Sequence, residues 1–188
     1  RTKGQIAREF GIEPLADKLF ADPTLDPLSE AAAFTRPPEV LDDGKPGADF
    51  STVPAVLDGV RDILSERWAE DAALVGTLRD WLWAEGRLRA VVRAGLDEGH
   101  AEAAKFRDYF DYDEPMHGVP SHRALAVFRG RAQDILELRL AAPDDPVAPG
   151  TVSAAEARIA QHLGWRHTGR PADDLLRRTV AWTWKVKL

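Results

Sequence analysis

No cysteine occurs anywhere in the 188 residues. That removes thiolate nucleophiles, disulfide frameworks and Cys-ligated zinc, and it fits a reducing compartment, the cytoplasm by default. Also missing is any apolar run near the ~18 residues that a membrane-spanning helix needs, so no membrane partner is expected. Arg1-Thr2-Lys3-Gly4 has neither a start Met nor an apolar signal core, and WTWKVKL at 182–188 stops inside an amphipathic pattern without a C-capping Gly or Asn. Both ends read as boundaries inside a longer chain. There is no internal repeat, no low-complexity tract and no catalytic signature.

What the chain does have is a 44% hydrophobic share, enough for a core without metal or disulfides. One compact helical region over 1–188 is the simplest organisation, divided if at all into a helical part at 1–100 and a ribbon with C-terminal helices at 101–188. The net charge of −6 argues against an overall nucleic-acid footprint, yet the signs are unevenly spread. Residues 9–71 hold 15 acids and 5 bases, 158–188 hold 7 bases and 2 acids, and 121–140 hold 4 Arg against 2 acids. That asymmetry permits a basic surface on an acidic body, although solvated helix faces are the plainer reading.

Apolar spacing predicts short helices at 5–10, 13–21 and 28–35, then a Gly-, Pro- and Asp-rich loop to Phe50. Ser51-Thr52 can cap a long helix with Val56, Val60, Ile63, Leu64 and Trp68 on one face, and Leu74, Leu78 and Trp81 continue the period after a break near Asp71. Trp68, Trp81 and Trp83 fall at core spacing, which suits packing better than base stacking. Residues 87–93 and 135–140 alternate as half-buried strands. They predict a two-stranded antiparallel ribbon resting on helices, in a fold that is mainly α. Between them, 101–110 reads as helix, 113–120 as a turn-rich connection, and Ser121 as the cap of a helix to about 128 that Gly130 ends. Ser153-Ala-Ala-Glu156 has capping-box spacing for a helix closed by Gly164. Pro171 opens the last helix, with Leu175, Leu176, Thr179, Val180 and Trp184 as its stripe.

Asp111, Asp113, Glu114, His117 and His122 are the densest set of metal-ligand types. They lack both a His pair at i, i+4 and the spacing of a calcium loop, and Pro120 separates the two His, so no metal or other cofactor is expected. Ser121 and His122 diverge by about 100° on a helix and cannot act as nucleophile and base. GKPG at 44–47 has the composition of a phosphate loop without its order. The expectation is therefore that the chain is no enzyme, with a metal-dependent hydrolase as the weakest alternative. The basic element around Phe128 is the best functional candidate: Arg123 near a helix start could meet phosphate, and Arg129 and Arg131 suit the helix end. With Arg177 and Arg178 of the basic C-terminal helix, these are the candidate nucleic-acid contacts, and ordinary salt bridges remain the alternative. Phe106, Tyr109 and Phe110 could stack on bases, but their spacing suits core anchors better.

Five segments, RTKGQI at 1–6, ADPTL at 21–25, KFRDYF at 105–110, PSHRALAVFRG at 120–130 and WTWKVKL at 182–188, occur in an order that resembles the bacterial transcription accessory protein family Tex. Its eukaryotic counterpart is a histone-associated transcription elongation factor. The chain departs at RAQD, 131–134, where the family more often has Asn, Glu and Gly before the strand. The resemblance implies a helical portion from the N-terminal half of a longer protein. The rest of that protein would hold a helix-turn-helix region, a ribonuclease-H-like domain, helix-hairpin-helix elements and an S1-type barrel. It further implies a scaffold without a catalytic step, with RNA or other nucleic acid and the transcription machinery as partners of the full-length protein. Direct nucleic-acid binding by this region is the alternative.

Overall fold

Residues 1–96, 99 and 101–188 are described in the computed structural model of the chain, which is mainly α with one small antiparallel sheet, as the sequence pattern predicts. The backbone divides into two units, one of Arg1–Val75 with Glu156–Leu188, the other of Gly76–Ala155.

The first unit is built around α4, Val53–Ala69, on which α1 (Lys3–Glu9), α2 (Glu13–Ala21), α3 (Pro27–Ala32) and α9 (Asp173–Trp182) pack. α4 starts where the Thr52 hydroxyl accepts the Ala55 amide at 3.3 Å, with Pro54 in the first turn, where a helix leaves its N–H groups unpaired anyway. Its apolar stripe, Val56, Val60, Ile63 and Leu64, is wholly buried. α9 supplies the facing stripe of Leu175, Leu176, Thr179 and Val180. α1 opens on a Thr-x-x-Gln capping box: Thr2 Oγ1 accepts the Gln5 amide at 3.1 Å, and Gln5 Oε1 accepts the Thr2 amide at 2.9 Å. Glu66 of α4 then accepts the Gly4 amide at 2.6 Å and the Thr2 hydroxyl, which ties the start of α1 to the central helix.

α5, Ala72–Glu85, begins in the first unit and ends in the second. Its start is the predicted break, where Asp71 Oδ1 accepts the amides of Ala73 and Leu74 at 3.0 and 3.1 Å. Of the three tryptophans expected to pack, Trp68 and Trp81 are buried, whereas Trp83 is 64% exposed.

In the second unit β1, Arg87–Val92, lies between β2, Asp111–Pro115, and β3, Leu136–Ala141, all antiparallel. The pairing expected between β1 and β3 is present, with Leu88 opposite Leu140 and Ala90 opposite Leu138. The third strand runs through a segment read as a turn-rich connection. It has one inward apolar side chain, Tyr112, among acids and ends at a proline, so its alternation is too weak to register as a strand. α6, Ala101–Ala104, and a 3-10 turn at Arg107–Tyr109 replace the single helix expected at 101–110. They place Phe106 in a core with Leu88, Ala90, Ala103, Tyr112, Val127, Ile135 and Leu136, and Tyr109 and Phe110 pack partly buried against it. These aromatics are core anchors.

α7, Ser121–Ala132, contributes Val127 to that core. Two expectations about it are corrected. Pro120, not Ser121, is the N-cap residue, and Gly130 lies inside the helix rather than ending it. Gly130 is buried there, where a Cβ would overlap Leu136 and come within 3.2 Å of Phe106. The helix ends four residues later than Gly130 would have it: the Asp134 amide bonds to the Arg131 carbonyl at 3.0 Å and the Ile135 amide to the Gly130 carbonyl at 2.9 Å. That is a Schellman closure, with Asp134 at φ 57° in the left-handed position usually held by glycine.

Candidate nucleic-acid interface

On the sheet face opposite the core, the alternation of β1 places Arg87 and Arg89, and the register sets Asp113 and Arg139 on either side of Arg89. Arg87 Nε donates to Asp113 Oδ1 at 2.7 Å, and Arg89 Nε lies 3.3 Å from Asp113 Oδ2. Arg89 also donates to the carboxylate and the carbonyl of Asp145, each at 2.7 Å, and Arg139 donates to the same carboxylate. Asp145 thus bridges two like charges that stand opposite each other across the strands, a pairing that would otherwise be destabilising. The Arg87 hydrogen bond holds the Asp113 carboxyl below its usual value. The arginine alternation was visible in the sequence, but Asp145 arrives from a loop and carried no signal.

The candidate arginines of α7 fall into two kinds. Arg123 donates to Glu114 of β2, so its charge is already partnered. Arg129 and Arg131, in the last turn, are exposed and form no ion pair among the described residues. They do not share one face with Arg123: at about 100° per residue, Arg129 lies about 120° from Arg123 and about 160° from Arg131. Between Arg129 and Arg131 run Leu125 and Phe128, 65% and 48% exposed. Arg177 and Arg178 lie on α9, in the other unit. Arg177 pairs with Asp174 at 3.2 Å, and Arg178 is exposed without an ion pair among the described residues.

The acids and histidines at 111–122 are distributed rather than gathered. Asp113 and Glu114 are in the ion pairs above, His117 and His122 are exposed, and no three metal-ligand side chains converge among the described residues.

The strongest polar centre of the first unit is Asp173, fully buried at the start of α9. Its carboxylate accepts from Trp165 Nε1 at 3.0 Å, from the Thr168 and Arg170 amides at 2.9 Å each, and from Arg170 Nε and Nη2 at 3.1 Å each. Burial alone would raise this carboxyl, but the donations outweigh it and hold it well below the usual carboxylate range. An acid in a first helical turn was a readable signal, and the convergence of donors from the preceding loop was not. The same unit has an open groove of about 340 Å³ bordered by Lys3, Phe50, Arg61 and Asp62. There Arg61 stacks over the Trp182 ring at 3.9 Å and pairs with Asp62 at 3.2 Å.

No helix among the described residues is long and apolar enough to cross a membrane. Residues 22–188 match the family model described as Tex central region-like. The whole chain is 46% identical to Protein YhgF of Escherichia coli (strain K12) and 42% identical to Protein tex of Bordetella pertussis, covering 23% of each. It is also 42% identical to the Transcriptional accessory protein Tex of Neisseria gonorrhoeae, again over its full length and covering 22% of that protein. The chain spans less than a quarter of these curated relatives. By the extent of these matches and the helical fold that accompanies them, the chain belongs to the Tex family, as a Tex central region-like segment.

Proposed function

We propose that this chain is a non-enzymatic, helix-rich scaffold region of a longer, nucleic-acid-binding transcription accessory protein of the cytoplasm. The observation that carries the reading is the match of 22–188 to the Tex central region, together with the name of the gonococcal relative, Transcriptional accessory protein Tex. The disposition of charge supports it. Asp113, Glu114, Asp145 and Asp173 each hold an arginine of their own unit, and the carboxyls of Asp113 and Asp173, held below the usual carboxylate range, are poor proton donors at neutral pH. RNA and the transcription machinery are then partners of the whole protein rather than of this segment alone.

Direct nucleic-acid binding is weighed by the same charges: Arg123 and Arg177 are partnered, and Arg129 and Arg131 diverge around α7. A fluorescence-anisotropy salt titration of the 188-residue chain against single-stranded RNA and duplex DNA separates the readings. The scaffold reading expects weak binding whose log–log salt slope stays shallower than about −2, since each phosphate contact adds about −0.7 to −0.9. A slope beyond about −3 that flattens when Arg123, Arg129 and Arg131 are changed to Ala would overturn it.

A further inference from the structure

The outward face of α7 has the pattern of one half of a helix pair. Ser121, Leu125, Phe128 and Ala132 are spaced four, three and four apart, all are exposed, and together they form a straight seam along the helix. Opposite this seam, Val127 and Gly130 face the core of the unit. With Leu125 and Ala132 at a positions and Phe128 at d, Arg129 falls at e and Arg131 at g, the two places that border a helix-pairing seam and set the charge of the partner. Neither guanidinium is engaged by the described residues, whereas Arg87, Arg89, Arg123 and Arg139 of the same unit are all in ion pairs.

We propose that this seam docks an amphipathic helix of a partner protein, with apolar residues at its own a and d positions and Asp or Glu on the flanks that meet Arg129 and Arg131. A second copy of this chain fits poorly, because it would set arginine against arginine along the seam. A nucleic-acid backbone fits poorly too, because the centre of the surface is leucine and phenylalanine and the two cations stand on opposite sides of it. The occupant that satisfies both the apolar centre and the cationic borders is an acidic helix laid in the manner of a helix-in-groove ligand. This inference rests on the scaffold reading and names the kind of partner the scaffold would hold.

The test uses the 188-residue chain and two labelled helical peptides of about three heptads, both with Leu at a and d, one with Glu and the other with Lys at e and g. The expected result is that the Glu peptide binds, the Lys peptide does not, and amide shifts in the native chain on adding the Glu peptide cluster on α7. Leu125→Ser with Phe128→Ser should weaken binding more than about tenfold, the effect of removing central anchors. Arg129→Glu with Arg131→Glu should exchange the preference to the Lys peptide. All four positions are exposed, so unchanged circular dichroism is expected, and the amide shifts need no variant. Equal binding of both peptides, shifts centred elsewhere, dimerisation that depends on Leu125 and Phe128, or failure of the Glu peptide to bind would each overturn the docking site. Those outcomes leave the scaffold reading standing, which fails only in the nucleic-acid titration; RNA that displaces the Glu peptide from α7 would overturn both.

Discussion

Asp173 is a fully buried carboxylate held by a convergence of donors. Hydrogen bonds to an ionised group contribute about 1.5–3 kcal/mol each when they are not redundant, and this carboxylate gathers an indole, two amides and a guanidinium. Asp173→Asn keeps the shape, forfeits the charge and turns one acceptor into a donor facing donors. It should cost about 3 kcal/mol at pH 7 by denaturant titration. Because the carboxyl is lowered in the folded state, its contribution is complete above the ordinary carboxylate range and drains as pH falls through and below about 4. The gap between the parent chain and Asp173→Asn should therefore narrow steadily from pH 5 toward about pH 2, and a gap that stays constant would show that the charge is not what matters. Asp62 has the opposite sign: burial outweighs the pull of Arg61 and raises its carboxyl.

At the scale of elements, α1, α7 and α8 (Ala154–Leu163) close by the same pair of backbone hydrogen bonds. α1 turns at Gly11 with φ 81°, α8 at Gly164 with φ 70°, and α7 at Asp134 with φ 57°. A side chain in the left-handed region costs about 1–2 kcal/mol, less for Asp than for most, so Asp134→Gly should raise the stability of the second unit by about 0.5–1 kcal/mol. Thermal melts check this, and a lowered midpoint would mean that the Asp134 side chain holds the turn in its own right. This turn also shows how far local signals go. Gly164 was readable as a stop because its neighbours supply no other use for a glycine, whereas Gly130 looked like a stop and is instead the point where α7 meets Leu136 and Phe106. The long helices and the β1–β3 pairing were legible because their apolar periods run for many residues. β2 was not, since an edge strand of acids around one tyrosine is held by its partner's arginines rather than by its own alternation. For the candidate site, the location of α7 and its arginines was legible, but which of them were already partnered depended on Glu114 arriving from another strand.

The whole molecule is threaded so that the first unit is made from both ends of the chain, with Gly76–Ala155 between them. The buried stripe of α4 needs α9 across it, so a chain ending at Ala155 should lose amide protection along Val60, Ile63 and Leu64 while keeping it in β1 and β3. Hydrogen exchange reads both regions in one sample, and persistent protection of α4 in the shortened chain would show that α1 to α3 suffice. This threading also fixes an order of events on the ribosome. At roughly 5–20 residues per second, the stretch between α4 and α9 takes on the order of ten seconds to synthesise, and throughout that time α4 has α1 to α3 beside it but not yet the stripe of α9. A nascent chain stalled there is expected to offer chaperones the part of the α4 stripe that α9 covers in the finished unit.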